Sequence, residues 1–483
     1  MVFSSLLFLF LFLPVVLLSN LVLKEKIQNY FLLIASCVFF AWGGVSYFLL
    51  LFVSILMNYT VGLGIGYVKK RKHSFYILIT GLVLNIGALV VFKYLNFILD
   101  NINLYLICDN SNDIEFTRIV LPIGISFFTF QATSYIIDVY RGKVAVQHNF
   151  FMLALYISLF PQLIAGPIVR YETVELQLKK RKQNLLTMYE GLKRFCLGLA
   201  KKVFIANQMA VIADWAFDSP PEYLSASVAW LGVAAYSFQI YFDFSGYSDM
   251  AIGLGKMLGF DFLENFNFPY ISKSIKEFWR RWHISLSTWF RDYLYIPLGG
   301  NKNGGVRTYV NLLIVFVLTG FWHGASWNFL IWGMIHGLLL IIERLGFEKQ
   351  LRRLPSFISR VYVIFFVMMS WVFFRAETLE SSWTYTMSLF GSGSGTISFV
   401  SAGEYVQGWF VILFIIAILA STKFFRKLLI NLYTSYRFIG AWFKPIAGYL
   451  YMFFTLVFVL GVIFLSSVFL VSSSYNPFIY FRF

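Results

Sequence analysis

Three of the five histidines in this chain lie among apolar or aromatic neighbours. His283 belongs to the string FWRRWHIS, whereas His323 and His336 both lie in GFWHGASWNFLIWGMIHG, residues 320–337. Ionisable side chains at membrane depth are costly and by default mark a cavity or a functional path. An imidazole can also take a proton from a hydroxyl near neutral pH. The pattern predicts proton transfer at one or more of these histidines; the alternative is a packing residue bonded to a backbone carbonyl.

Spacing separates the three histidines. On one continuous helix, the thirteen residues from His323 to His336 leave their side chains roughly 140° apart, unless GASW breaks the helix. Trp279, His283 and Ser287 fall at i, i+4 and i+8 and are expected to share one stripe of an amphipathic helix. The sequence therefore favours a site formed by His323 and His283, with His336 as a support residue.

Two carboxylates lie near membrane depth in QIYFDFSGYSDMAIGLGKMLGF, residues 239–260. Either Asp243 or Asp249 could orient a histidine or pair with Arg280 or Arg281. A structural ion pair or a helix cap is an equally good interpretation, and both remain open at this point.

Several other chemistries lack their sequence patterns. Cys37, Cys108 and Cys196 lie far apart with no CxxC or neighbouring histidines, which favours neither a zinc site nor a disulfide framework. There is no HExxH, no GxSxG and no Walker loop. We expect no metal in the site.

The elements that must position these residues are membrane helices. The chain is 59% hydrophobic with a mean hydropathy of +0.73, and apolar runs of the roughly 17–25 residues needed to span a bilayer recur along it. This predicts an all-α polytopic membrane protein with about eleven spans in one integral domain, 1–483. The first 26 residues lack a signal peptide's basic start and cleavage site, so they are expected to form a first span.

The net charge of +16 is distributed between the apolar runs rather than on one face. Basic loops alternate with acidic ones, which is typical of the positive-inside rule and predicts binding to membrane lipids rather than nucleic acid. The alternation places both termini on the extracytoplasmic side. The basic clusters are Lys24–Lys26, 69–73, Arg141–Lys143, 179–182, Arg344–Arg353 and Lys423–Lys427.

Two segments depart from simple spans. LFPQLIAGPIVRY carries two prolines and a glycine at membrane depth, which predicts a broken or re-entrant helix within 150–168. Residues 272–307 are rich in Trp, Tyr, Arg and Lys, which favours an amphipathic helix at the cytoplasmic face, followed by a turn at PLGGNKNGG.

Four strings resemble the membrane-bound O-acyltransferase family: FWRRWHISLSTWFRDYLYIPLGGN, TGFWHGASWNFLIWGMIHG, FDFSGYSDMAIGLGKMLGF and PQLIAGPIVRY. The nearest branch is that of the bacterial alginate O-acetyltransferases, the AlgI-like branch, with which WVFFRAETLESSW and NPFIYFRF also agree. The resemblance covers nearly the whole chain and is strongest over 155–345. It implies a ring of helices with re-entrant and amphipathic helices around a central funnel in the bacterial cytoplasmic (inner) membrane.

The resemblance also implies roles. The histidine of WHG, His323, is the expected catalytic residue and general base toward an attacking hydroxyl. His283, of RRWH, is expected to orient substrate or to stabilise charge on the thioester oxygen. Tyr480, in FIYFRF, could be a transient acyl carrier, the alternative being an interfacial aromatic belt. The residues expected to hold the donor's phosphates are Lys276, Arg280, Arg281 and Arg291.

The expected activity is acetyl transfer from acetyl-CoA, with no tightly bound cofactor, toward O-acetylation of an extracytoplasmic polysaccharide such as an alginate-like exopolysaccharide or a cell-wall polymer. The resemblance implies an SGNH-type transferase as partner. Transfer of D-alanyl or another acyl group to an envelope polymer is an alternative. A proton-coupled transporter is an alternative from another class; it predicts inverted repeats, which the sequence lacks.

Overall fold

The computed structural model describes residues 1–104, 114–181, 183–302, 304–398, 408–437 and 444–472. Within these ranges the chain is helical, with one isolated β-bridge between Leu224 and Ile397 and no strand. The prediction of an all-α polytopic membrane protein is confirmed. The helices long and apolar enough to span a bilayer number seven among the described residues, or eight if one bent pair counts as a span, so the predicted count of about eleven is not confirmed. The seven are Val45–Tyr67, Arg71–Ile102, Leu185–Asp218, Gly305–His323, Trp327–Arg353, Ser356–Arg375 and Gly448–Ser472.

The first apolar segment is shorter than expected. Its helical part covers Phe8–Val22 and falls below the length of a membrane span, because the chain turns extended at Leu23 before the next helix. The helices of this part of the chain are α1 Leu13–Val22, α2 Glu25–Ala41, α3 Val45–Tyr67, α4 Arg71–Leu89, α5 Leu95–Ile102, α6 Ile125–Tyr140, α7 Phe150–Ser158, α8 Phe160–Leu163 and α9 Tyr171–Lys179.

The predicted break within 150–168 is confirmed. α7 ends at Ser158, Leu159 has a non-helical φ/ψ of −55°/113°, and Pro161 lies in the first turn of α8. Nearly every side chain here is buried, so protein covers the irregular backbone, as membrane depth requires.

The middle of the chain contains one long helix, which runs without a break for 32 residues, Ala226–Met257. Its glycines permit close packing: a Cβ on Gly253 would lie 2.6 Å from the carbonyl oxygen of Gly191 on the neighbouring helix. The helices are α10 Leu185–Ala200, α11 Asn207–Asp218 and α12 Ala226–Met257.

The segment 272–307 is not one amphipathic helix. It consists of α13 Ile275–Trp279, α14 Ile284–Phe290 and a π-helical turn Arg291–Tyr295. His283 interrupts it with φ 42° and ψ 55°, a left-handed conformation uncommon for residues other than glycine. The expected stripe through Trp279, His283 and Ser287 was therefore wrong. The predicted turn is confirmed by positive φ at Gly299, Gly300 and Gly304.

Two further helices form an antiparallel hairpin, α15 Gly305–His323 and α16 Trp327–Ile342, with the break at residues 324–326. The hairpin is tight because Gly320 and Gly333 face each other: a Cβ on Gly320 would lie 2.1 Å from the carbonyl oxygen of Phe329. The remaining helices are α17 Glu348–Arg353, α18 Ser356–Arg375, α19 Leu379–Leu389, α20 Gly408–Ala420, α21 Phe424–Arg437 and α22 Lys444–Ser472.

Candidate active site

His323 is the last residue of α15 and is only 4% exposed. Its ring lies among three aromatic side chains, with centroid distances of 4.9 Å to Trp322, 5.1 Å to Trp332 and 5.2 Å to Phe374. Its Nδ1 has no hydrogen-bond partner among the described residues. A buried polar atom that the described chain leaves unbonded is uncommon and is one mark of a functional residue.

The end of α15 is held by two consecutive residues of the π-helical stretch Val90–Tyr94. Lys93 Nζ donates to the carbonyl oxygen of Trp322, to that of His323 at 3.4 Å and to Ser126 Oγ at 3.1 Å. Tyr94 OH donates to the carbonyl oxygen of Phe321 at 3.0 Å. Lys93 was not among the predicted site residues, although a lone lysine inside an apolar run is a usable signal.

His283 is fully buried, and its Nδ1 lies 3.2 Å from Asn265 Oδ1. The same amide oxygen accepts from the backbone N–H of Ser285 at 3.1 Å, and a backbone N–H can only donate. The atom facing His283 is therefore an oxygen, so Nδ1 carries the proton and Nε2 is the unprotonated nitrogen of the neutral ring.

The surrounding bonds support this assignment. The Asn265 amide group donates to Ser248 Oγ at 3.1 Å, and Ser285 Oγ donates its one proton to Asn265 Oδ1 at 2.9 Å. A neutral His283 thus accepts at Nε2. Stabilisation of a thioester oxygen, the expected role of His283, would require a donor there. No sequence pattern indicated Asn265.

Trp322 lies between His323 and His283, the two histidines that were predicted to form the site. The centroid of its ring is 4.9 Å from that of His323 and 6.0 Å from that of His283. Phe244 packs edge-on against His283 at 4.6 Å. Neither His283 Nε2 nor Trp322 Nε1 has a partner in the described part of the chain. The two histidines are thus neighbours of one indole rather than a hydrogen-bonded pair.

His336 is satisfied at both ring nitrogens. Trp279 Nε1 donates to Nδ1 at 3.3 Å, and Nε2 lies 3.1 Å from Ser370 Oγ, whose own proton goes to the carbonyl oxygen of Val367. This is the geometry of a support residue.

His323 and His336 do not lie on one continuous helix, so the predicted 140° separation between their side chains does not apply. Both rings contact Trp332, at centroid distances of 5.0 and 5.1 Å. The hydrogen bonds of His336, rather than its position around a helix, distinguish the two.

Asp243 and Asp249 form structural ion pairs. Asp243 pairs with Lys202 at 2.6 Å, and Asp249 pairs with Arg194 and Lys201, each at 2.6 Å. Of the two interpretations left open, the structural ion pair is the one that the structure shows, because α10 and the turn after it bring three cations directly against α12.

A cavity of about 940 Å³ lies between the 272–307 segment, α15 and α16, and we name it the basic cavity. Apolar side chains line much of it, and Thr319, one helical turn before His323, reaches its wall. The charged residues of its lining are Lys276, Arg280, Arg291, Glu343, Arg344 and Glu348.

The four cations predicted to hold phosphates differ in their surroundings. Lys276 lies 3.2 Å from Glu348, and Arg291 lies 2.6 Å from Asp292. Arg281 pairs with Glu277 at 2.8 Å and does not line the basic cavity. Arg280 lines the cavity with no carboxylate partner in the described ranges, and so does Arg344, which the sequence analysis did not single out.

The negative charge of Asp292 offsets part of the positive charge of Arg291. Burial alone would raise the pKa of the Asp292 carboxyl, but hydrogen bonds from Arg291 and Arg170 outweigh burial and hold that pKa below its ordinary value. The carboxylate therefore stays ionised through the neutral range. Arg280 and Arg344 remain the cations best placed to meet an anionic ligand.

A second cavity, of about 610 Å³, lies beyond the C-terminal end of α15, and we name it the mixed-charge cavity. A small cavity of about 160 Å³ adjoins it and includes His323; the two share Lys93 and Leu121. Gly324, directly after His323, lines the mixed-charge cavity. His323 thus lies between the basic cavity on one side and the mixed-charge cavity on the other. The charged residues of the second cavity are Lys93, Asp100, Arg118, Asp214, Arg375 and Glu377.

Two further predictions from the sequence concern a metal site and an acyl carrier. Among the described residues, no three His, Cys, Asp or Glu side chains come together as a metal site would require. Tyr480, the possible acyl carrier, lies outside the described residues.

Comparison with known proteins gives the family. The model of the membrane-bound O-acyltransferase family matches residues 141–380. A Pseudomonas aeruginosa protein named as a probable alginate O-acetylase, AlgI, is 48% identical over 402 residues, which cover 82% of this chain and 76% of that protein. The chain belongs to the membrane-bound O-acyltransferase family. It is therefore an acyltransferase, as the sequence motifs predicted.

Two more distant relatives of this acyltransferase have different names. A Helicobacter pylori peptidoglycan O-acetyltransferase is 38% identical over 445 residues, 84% of this chain and 83% of that protein. A Bacillus subtilis teichoic acid D-alanyltransferase is 30% identical over 248 residues, 48% of this chain and 62% of that protein. The region matched by the family model includes His283 and His323 but not Lys93.

Proposed function

We propose that this acyltransferase moves an acetyl group from acetyl-CoA in the basic cavity to a hydroxyl that enters through the mixed-charge cavity. The observation that carries the proposal is the position of His323: the basic cavity runs along α15 from Leu312 to Thr319, one turn before this histidine, and the mixed-charge cavity begins at Gly324, directly after it. The 19 residues of α15 correspond to about 28 Å of helix, close to the hydrocarbon thickness of a bilayer. Donor and acceptor can therefore approach from opposite faces of a membrane.

The residues support a direct transfer. The hydroxyl oxygen bonds to the acyl carbon as the carbon–sulfur bond breaks, and the hydroxyl proton passes to the imidazole of His323 and then to the leaving thiolate. His323 is assigned as the base because it lines a cavity and its Nδ1 is unbonded within the described chain. Arg280 and Arg344 would hold the phosphates of acetyl-CoA.

The acceptor is proposed from the names of the relatives. Two of them are named for O-acetylation of alginate or peptidoglycan, at 48% and 38% identity, against 30% for the relative named for D-alanyl transfer. An extracytoplasmic polysaccharide is thus the proposed final acceptor, reached through an SGNH-type partner. We place the protein in the bacterial cytoplasmic membrane, with the basic cavity on the cytoplasmic side, since basic loops favour that side.

Turnover of labelled acetyl-CoA by the purified protein tests the proposal. We expect release of free CoA that falls by roughly 10²–10⁴-fold in His323→Ala, as loss of a general base predicts. His148→Ala, at an exposed histidine, is the matched control and should keep full turnover. A wild-type protein that leaves acetyl-CoA intact in the presence of a polysaccharide acceptor and its partner would contradict the function.

A further inference from the structure

Lys93 is a buried cation inside a membrane helix, only 9% exposed. Its ammonium group has three N–H donors and three oxygen acceptors: Ser126 Oγ and the carbonyl oxygens of Trp322 and His323. It also lies 5.7 Å from the centroid of the Trp322 ring. No carboxylate of the described chain forms an ion pair with it. A charged lysine at this depth costs free energy, which indicates that it has a function.

The end of α15 gives part of that reason. The last carbonyl groups of a helix have no donors within the helix. After His323 the chain leaves in an extended conformation, at Gly324 with φ −167°, so no following turn supplies donors either. Tyr94 and Lys93 supply them from the side, to Phe321 and to Trp322 and His323 respectively.

Capping alone does not explain a charged donor. Tyr94 shows that a neutral hydroxyl from the same stretch can satisfy one of these carbonyls. A cation adds a favourable interaction with the negative end of the α15 dipole and a positive potential beside His323. Lys93 lines both the small cavity and the mixed-charge cavity, which places that potential next to the space where substrates would meet.

We propose that Lys93 is a positioning residue for the acyl transfer. It fixes the last turn of α15, so that the ring of His323 stays between the two cavities. Its charge favours the negative charge that develops on the acyl carbonyl oxygen as the hydroxyl attacks. This inference rests on the proposed function and gives Lys93 the electrostatic task that the sequence assigned to His283.

Kinetics of three variants test the inference. Lys93→Met keeps the length of the side chain without charge or donors; we expect kcat to fall about 100-fold, since a small displacement of a catalytic group has that effect. The KM for acetyl-CoA should change little, because Lys93 does not line the basic cavity. Lys93→Arg should restore part of kcat. Tyr94→Phe removes one hydrogen bond to the same turn but keeps the charge, so its kcat should fall far less than that of Lys93→Met. An equal fall in kcat in Lys93→Met and Tyr94→Phe, or an unchanged kcat in Lys93→Met, would overturn the inference.

A second measurement is independent of turnover. Carbethoxylation of histidines by diethyl pyrocarbonate, followed by mass spectrometry, reports the accessibility and nucleophilicity of His323. We expect the rate at His323 to change at least severalfold in Lys93→Met and much less in Tyr94→Phe, while the exposed His148 keeps its rate in all variants. An unchanged rate at His323 would overturn the inference even if the acetyltransferase activity is confirmed. A changed rate in a protein without that activity would leave the positioning role standing and reject the function.

Discussion

Arg280 and Arg281 are adjacent in sequence but differ in what they face. Arg280 lines the basic cavity, whereas Arg281 is bonded to Glu277 and to the carbonyl oxygen of Asn267. If donor phosphates bind in this cavity, Arg280→Ala should raise the KM for acetyl-CoA by roughly 10-fold or more, the effect of losing a charge-assisted hydrogen bond. Arg281→Ala is the matched control and should leave that KM nearly unchanged. Initial rates at varied acetyl-CoA concentration measure both, and a larger effect at Arg281 would contradict the assignment.

The hydrogen bond between Asn265 and His283 predicts which ring nitrogen carries the proton. In 15N-histidine-labelled protein, the Nδ1 of His283 should be protonated and its Nε2 unprotonated. Asn265→Ala should allow both tautomers, whereas Asn265→Asp should keep the wild-type one, since a carboxylate oxygen still accepts. Solid-state NMR can measure this, with His283→Asn used to assign the signal because asparagine tolerates the left-handed backbone. A proton on Nε2 of His283 in the wild-type protein, with none on Nδ1, would contradict the assignment of the tautomer.

At the scale of single residues, the sequence indicates a site residue when its type is rare among its neighbours. Histidines in an apolar chain stand out, and so does Lys93 once single lysines are considered. Asn265 could not be found, because its importance comes from a fold that brings a loop against residues 281–285 through bonds between Asn267 and Arg281 and between Ile284 and Asn265.

The hairpin of α15 and α16 determines where His323 lies, and its tightness depends on Gly320. A methyl group there would meet the backbone oxygen of Phe329 at 2.1 Å, so the helices must separate. We expect Gly320→Ala to lower stability by roughly 1–3 kcal/mol, the usual cost of overpacking, and to lower kcat by moving His323. Thermal unfolding in detergent measures the first effect. Gly461→Ala, in α22, has nothing within 4 Å of the added carbon and should unfold like the wild type; equal unfolding temperatures for both variants would contradict this account of the hairpin.

The positions of helices were easier to predict than their breaks. The break before Phe160 follows from proline, and the 297–304 turn from glycine. The break at His283 has no such signal, since His283 adopts a left-handed backbone that only its tertiary contacts hold. Glycine alone does not indicate a break, because the glycines of α12 allow close packing against α10 within a continuous helix.

At the scale of the whole molecule, the proposal assigns the two cavities to opposite faces of the membrane. In a cysteine-free background, Asn301→Cys, in the lining of the basic cavity, should react with a membrane-impermeant thiol reagent only in inside-out vesicles. Ser326→Cys, in the lining of the mixed-charge cavity, should react only in right-side-out vesicles. Labelling of both positions from the same side would contradict the orientation.

A structure of the protein with a non-hydrolysable acetyl-CoA analogue would test most directly whether the two cavities meet at His323. We predict that the phosphates of the analogue lie against Arg280 and Arg344 in the basic cavity, that the chain passes Thr319, and that the acetyl carbonyl carbon lies close to the ring of His323. An analogue bound in the mixed-charge cavity, or one whose acetyl group ends away from His323, would contradict the account.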